Sequence, residues 1–278
     1  MRTFILSLPA RLQVIFVPAT VIILAFAIAS LFGKLFDEQQ LQANADLISS
    51  VYEVMGTIYA ILLTFTLWGV WQNYTKAESA VQEEAYSMLD LIHMVEASPR
   101  WESMHFREAV LSYLEGVVSC EWDYLRDMKS QIMHLREHSH PASIKIVQVV
   151  QGIHPEGPRE TAIFSQVLTL LDNWMDARRT RILMAYGNTA KSIWPLLVTG
   201  AFVLFAFHGL FVAQTLGIWV TMLAGTSLVI GLAFYLIFTL DCPFTGTPSI
   251  DSQPFQLAVN ILKRPAQSVH TESGAMLA

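Results

Sequence analysis

The chain has 278 residues, of which 53% are hydrophobic and 14% charged, and it carries a net charge of −6 at pH 7. Soluble domains carry about 25% charged residues, so the deficit points to lipid as part of the solvent. The acidic balance excludes nucleic acid as a partner. Two cysteines, Cys120 and Cys242, are too few for a disulfide framework.

Four apolar runs, at 13–33, 54–71, 193–212 and 217–240, reach the roughly 20 residues that cross a bilayer. Ala27-Ile28-Ala29 before Ser30 resembles a signal-peptide cleavage site. The run is long for a signal core and contains Pro18, so it reads as a retained span. The spacing therefore predicts an all-α integral membrane protein. Residues 1–71 hold the first two spans, 72–192 a helical domain, 193–240 the last two spans, and 241–278 a tail.

Orientation follows from the basic residues. With four spans, the N-terminus, the middle segment and the tail share one side. They hold 16 of the 17 Lys and Arg, and only Lys34 falls opposite. The positive-inside rule puts both termini and residues 72–192 in the cytoplasm of an inner or plasma membrane.

Within 72–192, apolar residues recur at helical spacing. Val81, Ala85, Met88, Ile92 and Val95 continue directly out of the second span. Phe106, Val110, Tyr113, Val117 and Tyr124 form a second stripe, and Ile163, Val167, Leu170 and Trp174 a third. Gly152, Pro155, Gly157 and Pro158 break the chain between helices. No strand-like alternation stands out, and the tail beyond about Lys263 is polar and expected to be disordered.

Chemistry is sparse. The sequence has no phosphate-binding glycine loop, no dinucleotide fingerprint, no zinc-protease motif and no nucleophile elbow. His134, His138, His140 and His154 fit no zinc spacing. Glu83-Glu84 and Glu121 lie on expected helices without an evident catalytic partner. No cofactor, metal or catalytic site is expected, and enzyme activity is disfavoured.

Polar groups inside the spans are more informative, because they are costly in lipid unless they face the bundle or water. Glu53 and His208 fall at similar depths near the outer boundary. With Thr57 and Thr64 they are the candidate ion-path residues. Each has a plainer reading: Glu53 reaching to water, His208 making one interhelical hydrogen bond, and the hydroxyls bonding back to their own helices. Ala25, Ala29 and Gly33, and Gly217, Thr221 and Gly225, are small faces for close helix contact. Asp241 ends the fourth run where a helix dipole is negative, and Pro243, Phe244 and Gly246 shape a turn after it. Asp241 pairs with one of Arg178, Arg179 and Arg181, or accepts only hydrogen bonds of its own turn.

Several stretches resemble the bestrophin-like family of bacterial and plant membrane proteins. They are Tyr59–Phe65 (YAILLTF), Trp71–Tyr74 (WQNY), Glu83–Ala85 (EEA), the Tyr113 region, Glu121-Trp122, Arg178–Ile182 (RRTRI), Ile193–Leu197 (IWPLL) and Leu240–Gly246 (LDCPFTG). The last is the most specific. The resemblance covers residues 50–255 and implies four spans with a helical cytoplasmic insert. It also implies distant kinship with oligomeric ion channels, mostly for anions. Two functions are thus expected. One is a homo-oligomeric channel for an inorganic ion, in which the outer acids Asp37, Glu38, Asp46 and Glu53 against Lys34 favour cations. The other is a non-conducting membrane scaffold or signalling partner that acts through its cytoplasmic helices.

Overall fold

A computed structural model describes residues 10–98, 101, 103–126, 140–185, 193–211, 215–245 and 248–264. Every regular element among them is helical: α1 (Ala10–Phe32), α2 (Glu38–Ala43), α3 (Ala45–Glu96), α4 (Ser103–Gly116), a π-helical turn (Val117–Glu121), α5 (Trp122–Arg126), α6 (His140–Gln151), α7 (Gly157–Met184), α8 (Ile193–His208), α9 (Leu216–Leu240) and α10 (Gln253–Lys263). The chain forms two compact units, one of residues 1–75 and 187–249, the other of 76–186 and 250–278. The 52-residue α3 supplies both.

The first unit contains α1, the first part of α3, α8 and α9. Within it, α1, α3 and α9 include stretches long and apolar enough to cross a membrane. The third expected span, 193–212, is helical from Ile193 to His208 among its described residues, a helix of 16 residues, roughly 24 Å long. Directly after His208 the chain passes α1 closely: a Cβ on Gly209 would lie 2.2 Å from the Ala29 carbonyl oxygen. The core of the unit joins Ala25 and Ala29 of α1, Tyr59 of α3, Ala201, Leu204 and Phe205 of α8, and Leu223 and Ile230 of α9. The small face on α1 is thus used. A Cβ on Gly231 would likewise meet the Pro18 backbone at 2.7 Å. By contrast, a Cβ on Gly217 or Gly225 meets nothing within 4 Å and Thr221 is exposed, so the small face on α9 is unpartnered among the described residues.

The second unit packs the rest of α3 with α4, the π turn, α5, α6, α7 and α10. All five residues of the first expected stripe are buried. Phe106, Val110, Tyr113 and Val117 are buried as expected, but Tyr124 is only half-buried, and Trp122 and Leu125 take its place. The π turn explains the difference: its wider winding shifts the register of every residue after it. On α7 the buried positions are Val167, Leu171, Trp174, Ala177 and Arg181, so an arginine continues the apolar stripe. Gly157 opens α7 at φ 89°, in the left-handed region that favours glycine.

Candidate functional site

The path candidates lie in the first unit. Glu53, Thr57, Ala60, Thr64, Trp68 and Trp71 are exposed and recur at three and four along α3, so they form one face. The opposite face supplies Tyr59, Thr66 and Val70 to the interior. Tyr59 is anchored by donating its hydroxyl hydrogen to the Leu197 carbonyl at 2.9 Å, and its ring fills the space a Cβ on Gly200 would occupy. These contacts fix the rotation of α3 and therefore which residues face outward. The Thr57 hydroxyl donates to the Glu53 carbonyl at 2.9 Å, and the Thr64 hydroxyl to the Ala60 carbonyl at 2.8 Å. Each hydroxyl is thereby satisfied within its own helix, with an oxygen still able to accept.

His208 is not on that face. It is buried, at 2% exposure, where α8 ends. The rings of Tyr52, Phe211 and Trp219 stand around it with centroids at 5.9, 5.8 and 5.9 Å. The Tyr52 hydroxyl lies 3.4 Å from Nδ1, while Nε2 makes no hydrogen bond of ordinary length. The structure therefore joins His208 to Tyr52, the residue before Glu53, rather than to Glu53, Thr57 and Thr64. Asp241, Cys242, Pro243, Phe244 and Thr245 are all buried, and Thr245 N–H donates to the Cys242 carbonyl at 3.1 Å, which closes the expected turn. Gly246, His134 and His138 lie outside the described residues, as does the chain beyond Arg264.

The second unit holds a cluster that sequence reasoning missed. Arg181 donates from Nε to Glu84 Oε2 at 2.6 Å and from Nη2 to Glu84 Oε1 at 3.0 Å and Glu121 Oε2 at 2.6 Å. Arg178 donates to the Tyr113 hydroxyl oxygen at 2.6 Å and to Glu121 Oε1 at 3.0 Å. Tyr113 in turn donates a short hydrogen bond to Glu84. The Arg181 guanidinium lies 5.5 Å from the centre of the Phe255 ring and 5.8 Å from that of Trp122. Four charges of alternating sign are thus sealed by aromatic rings. Burial acts to lower the pKa of both arginines, and the facing groups more than offset it: the Tyr113 hydroxyl and the Glu121 and Glu84 carboxylates around Arg178, and Glu84 and Glu121 around Arg181. Both stay above the ordinary arginine value. Burial pushes Tyr113 well above the usual tyrosine range, and the Glu84 carboxylate adds to the effect.

The cluster is charge-balanced and buried. Its role is to tie α3, α4, the π turn and α7 together. It engages two of the three arginines considered as partners for Asp241, while the exposed Arg179 lies 3.7 Å from Asp176. One signal was available: Glu84 falls three after Val81 and four before Met88, Glu121 four after Val117, and Arg181 seven after Trp174. Charges of both signs sat on three apolar stripes. Among the described residues, no group of three or more metal-ligating side chains occurs.

Long apolar helices, a second all-helical unit and one long helix common to both define a helical integral membrane protein. The family model of the Bestrophin-like domain matches residues 19–255, most of the chain, and the protein belongs to that family. The fold is similar to that of a bacterial bestrophin homologue from Klebsiella pneumoniae. A mutant crystal structure of that homologue has a TM-score of 0.62 at 13% identity, covering 90% of this chain and 96% of that one. A second crystal structure of it gives 0.56 at 14% identity, covering 89% and 95%. A crystal structure described only as a membrane protein gives 0.59 at 14% identity, covering 87% and 95%. No curated protein matches the chain.

Proposed function

We propose that the protein is a homo-oligomeric ion channel of an inner or plasma membrane, with its path lined by the outward face of α3. The observation that carries this reading is the face itself. Glu53, Thr57 and Thr64 are exposed on a helix whose neighbouring positions are apolar, and a carboxylate and hydroxyls are poor company for lipid. A single subunit does not surround that face, so several copies must do so, and the unpartnered Gly217, Thr221 and Gly225 face of α9 suits close contact with another helix. Family membership agrees with this reading, although fold alone does not carry function.

In this reading α1, α3, α8 and α9 are the four spans. Both termini and residues 72–192 are cytoplasmic, as the 16 of 17 basic residues indicate. Asp241 accepts hydrogen bonds of the turn that follows α9.

Asp37, Glu38, Asp46 and Glu53 are all exposed in the first unit, against Lys34. Repeated around an axis they form acidic rings that attract cations. The test is the reversal potential under a salt gradient, for the native protein and for Glu53→Gln in liposomes. Cation preference that weakens in the variant supports the reading. Anion preference overturns the ion assignment, and absence of flux from a well-folded oligomer leaves the scaffold as the function.

A further inference from the structure

We infer that the second unit carries a binding site for an amphiphilic carboxylate, a medium-length alkyl chain ending in one negative charge, in the groove between α6 and α7. The site belongs to the second unit alone and does not depend on the proposed ion path. α6 packs against α4 and buries Ile146 and Val150. That seating leaves a groove of about 740 Å³ along α7, within the range of about 300–1,000 Å³ usual for small-molecule sites. Its α6 wall runs from Ser143 to Gln151 and its α7 wall from Trp174 to Leu183, roughly 12–14 Å at the rise of a helix.

The walls are apolar and open to solvent. Ile144, Met175 and Leu183 are 39%, 39% and 57% exposed, and Val147 and Ile182 are half-buried beside them. Single exposed apolar side chains are ordinary, but five that line one groove form a contiguous surface, and such surfaces mark binding sites. Neither α6 nor α7 is long and apolar enough to cross a membrane, so a bilayer core does not explain the exposure. Trp174 lines the groove too. It is 1% exposed, and its indole N–H makes no hydrogen bond among the described residues, so this wall also holds an unmet donor.

Charge selects the ligand. Arg178 and Arg179 line the groove, and no acid does among the described residues. Arg178 is held by Tyr113 and Glu121 with 13% of its side chain exposed, and its charge is balanced within the buried cluster. Arg179 lies 3.7 Å from Asp176, but both side chains are largely exposed, and such a pair is weak. Asp176 itself does not line the groove. The groove therefore presents about one positive charge, on a planar guanidinium whose fork of donors matches a carboxylate. An apolar body with a single negative charge is complementary to it, and a cation is not.

The test is photolabelling of the full-length protein in vesicles of neutral phospholipid, using decanoate with a diazirine on its chain and locating the adducts by mass spectrometry. Adducts on Ile144, Met175 or Leu183 are expected. At equal free concentration, unlabelled decanoate is expected to compete about fivefold better than decanol, the upper end of what an exposed ion pair contributes. Arg179→Gln is expected to remove that preference. Met175→Glu sets an acid in the groove and is expected to abolish its labelling, with Leu183→Glu as the second variant should the first not fold. Absence of groove adducts, or groove adducts unchanged in both acidic variants, overturns the site. Equal competition by decanol in the wild type overturns the carboxylate, and a preference kept in Arg179→Gln overturns Arg179 as its contact. A photoreactive phosphatidate that labels the groove where the decanoate does not puts the anion on a membrane lipid and overturns the free carboxylate.

Discussion

Arg181 and Glu84 stand 97 residues apart in the chain and are joined by two hydrogen bonds, at 2.6 and 3.0 Å, with neither side chain exposed to solvent. Burying an ion pair costs much of what the pair returns, so the contact specifies an arrangement more than it adds stability. Breaking it is another matter. Arg181→Ala leaves the Glu84 and Glu121 carboxylates buried with only Arg178 to share, and it is expected to destabilise by about 3–5 kcal/mol. Glu84→Leu combined with Arg181→Leu keeps the contacts of Arg178 with Glu121 and Tyr113, and is expected to cost less than either single change. Thermal unfolding of the detergent-solubilised protein checks this. Additive losses would show that the two residues do not act as a pair.

Tyr113 ties the two carboxylates and Arg178 into one network. Tyr113→Phe removes a donor to Glu84 and an acceptor for Arg178, and is expected to cost about 1.5–3 kcal/mol, as hydrogen bonds to charged groups do. It also predicts a pH dependence. The folded state holds Tyr113 protonated well above the ordinary value of 10.0. Below that value the folded and unfolded chains both keep the proton. Above it the unfolded chain releases it first, so the stability linked to Tyr113 is lost as pH rises beyond about 10. The alkaline slope of the unfolding free energy is expected to be steeper in the wild type than in Tyr113→Phe, by about 1.4 kcal/mol per pH unit. Equal slopes would mean that Tyr113 does not titrate differently on folding.

Gly209 and Gly217 are two glycines of the first unit with opposite tolerance. A Cβ at 209 meets the Ala29 carbonyl oxygen at 2.2 Å, with backbone on both sides and nothing flexible to yield. Gly209→Ala is expected to lower the melting temperature by several degrees, or to prevent folding. A Cβ at 217 meets nothing within 4 Å among the described residues. Gly217→Ala should leave the melting temperature of the monomer in detergent unchanged and weaken assembly if that face contacts another copy. Size-exclusion chromatography of the two variants separates these effects.

The native thiols offer a test of orientation. Cys120 is exposed in the second unit and Cys242 is buried. An impermeant thiol reagent applied to intact cells is expected to miss Cys120 and to label Asp46→Cys on the exposed side of α3. Labelling of Cys120 from outside would overturn the cytoplasmic placement of residues 72–192.

Much of this architecture was legible in sequence because it rests on local regularities. Apolar runs of span length and the helical period of Val81–Val95 need no partner to be recognised, since chain length against bilayer thickness and 3.6 residues per turn determine them. Tyr113, Val117 and Trp174 are at most 1% exposed, as their stripes required. The register after Val117 was not legible, because a π turn leaves no periodic signature of its own. The joining of Glu84, Glu121 and Arg181 was not legible for a related reason. A charge on an apolar stripe does not name its counter-charge when that counter-charge lies on another helix.

The residue sequence by itself determined that the chain is helical, that it enters lipid, and which faces of its helices seek an interior. Hydrophobic transfer and backbone period settle those matters residue by residue. Only the tertiary structure decided which faces meet. It placed Glu84 against Arg181 across 97 residues, surrounded His208 with Tyr52, Phe211 and Trp219, and turned Glu53, Thr57 and Thr64 outward by seating Tyr59 on Leu197 and Gly200. The physical reason is that the pairing of charges, rings and close-packed glycines depends on distances set by the whole packed assembly of helices, and no local stretch of chain contains that information.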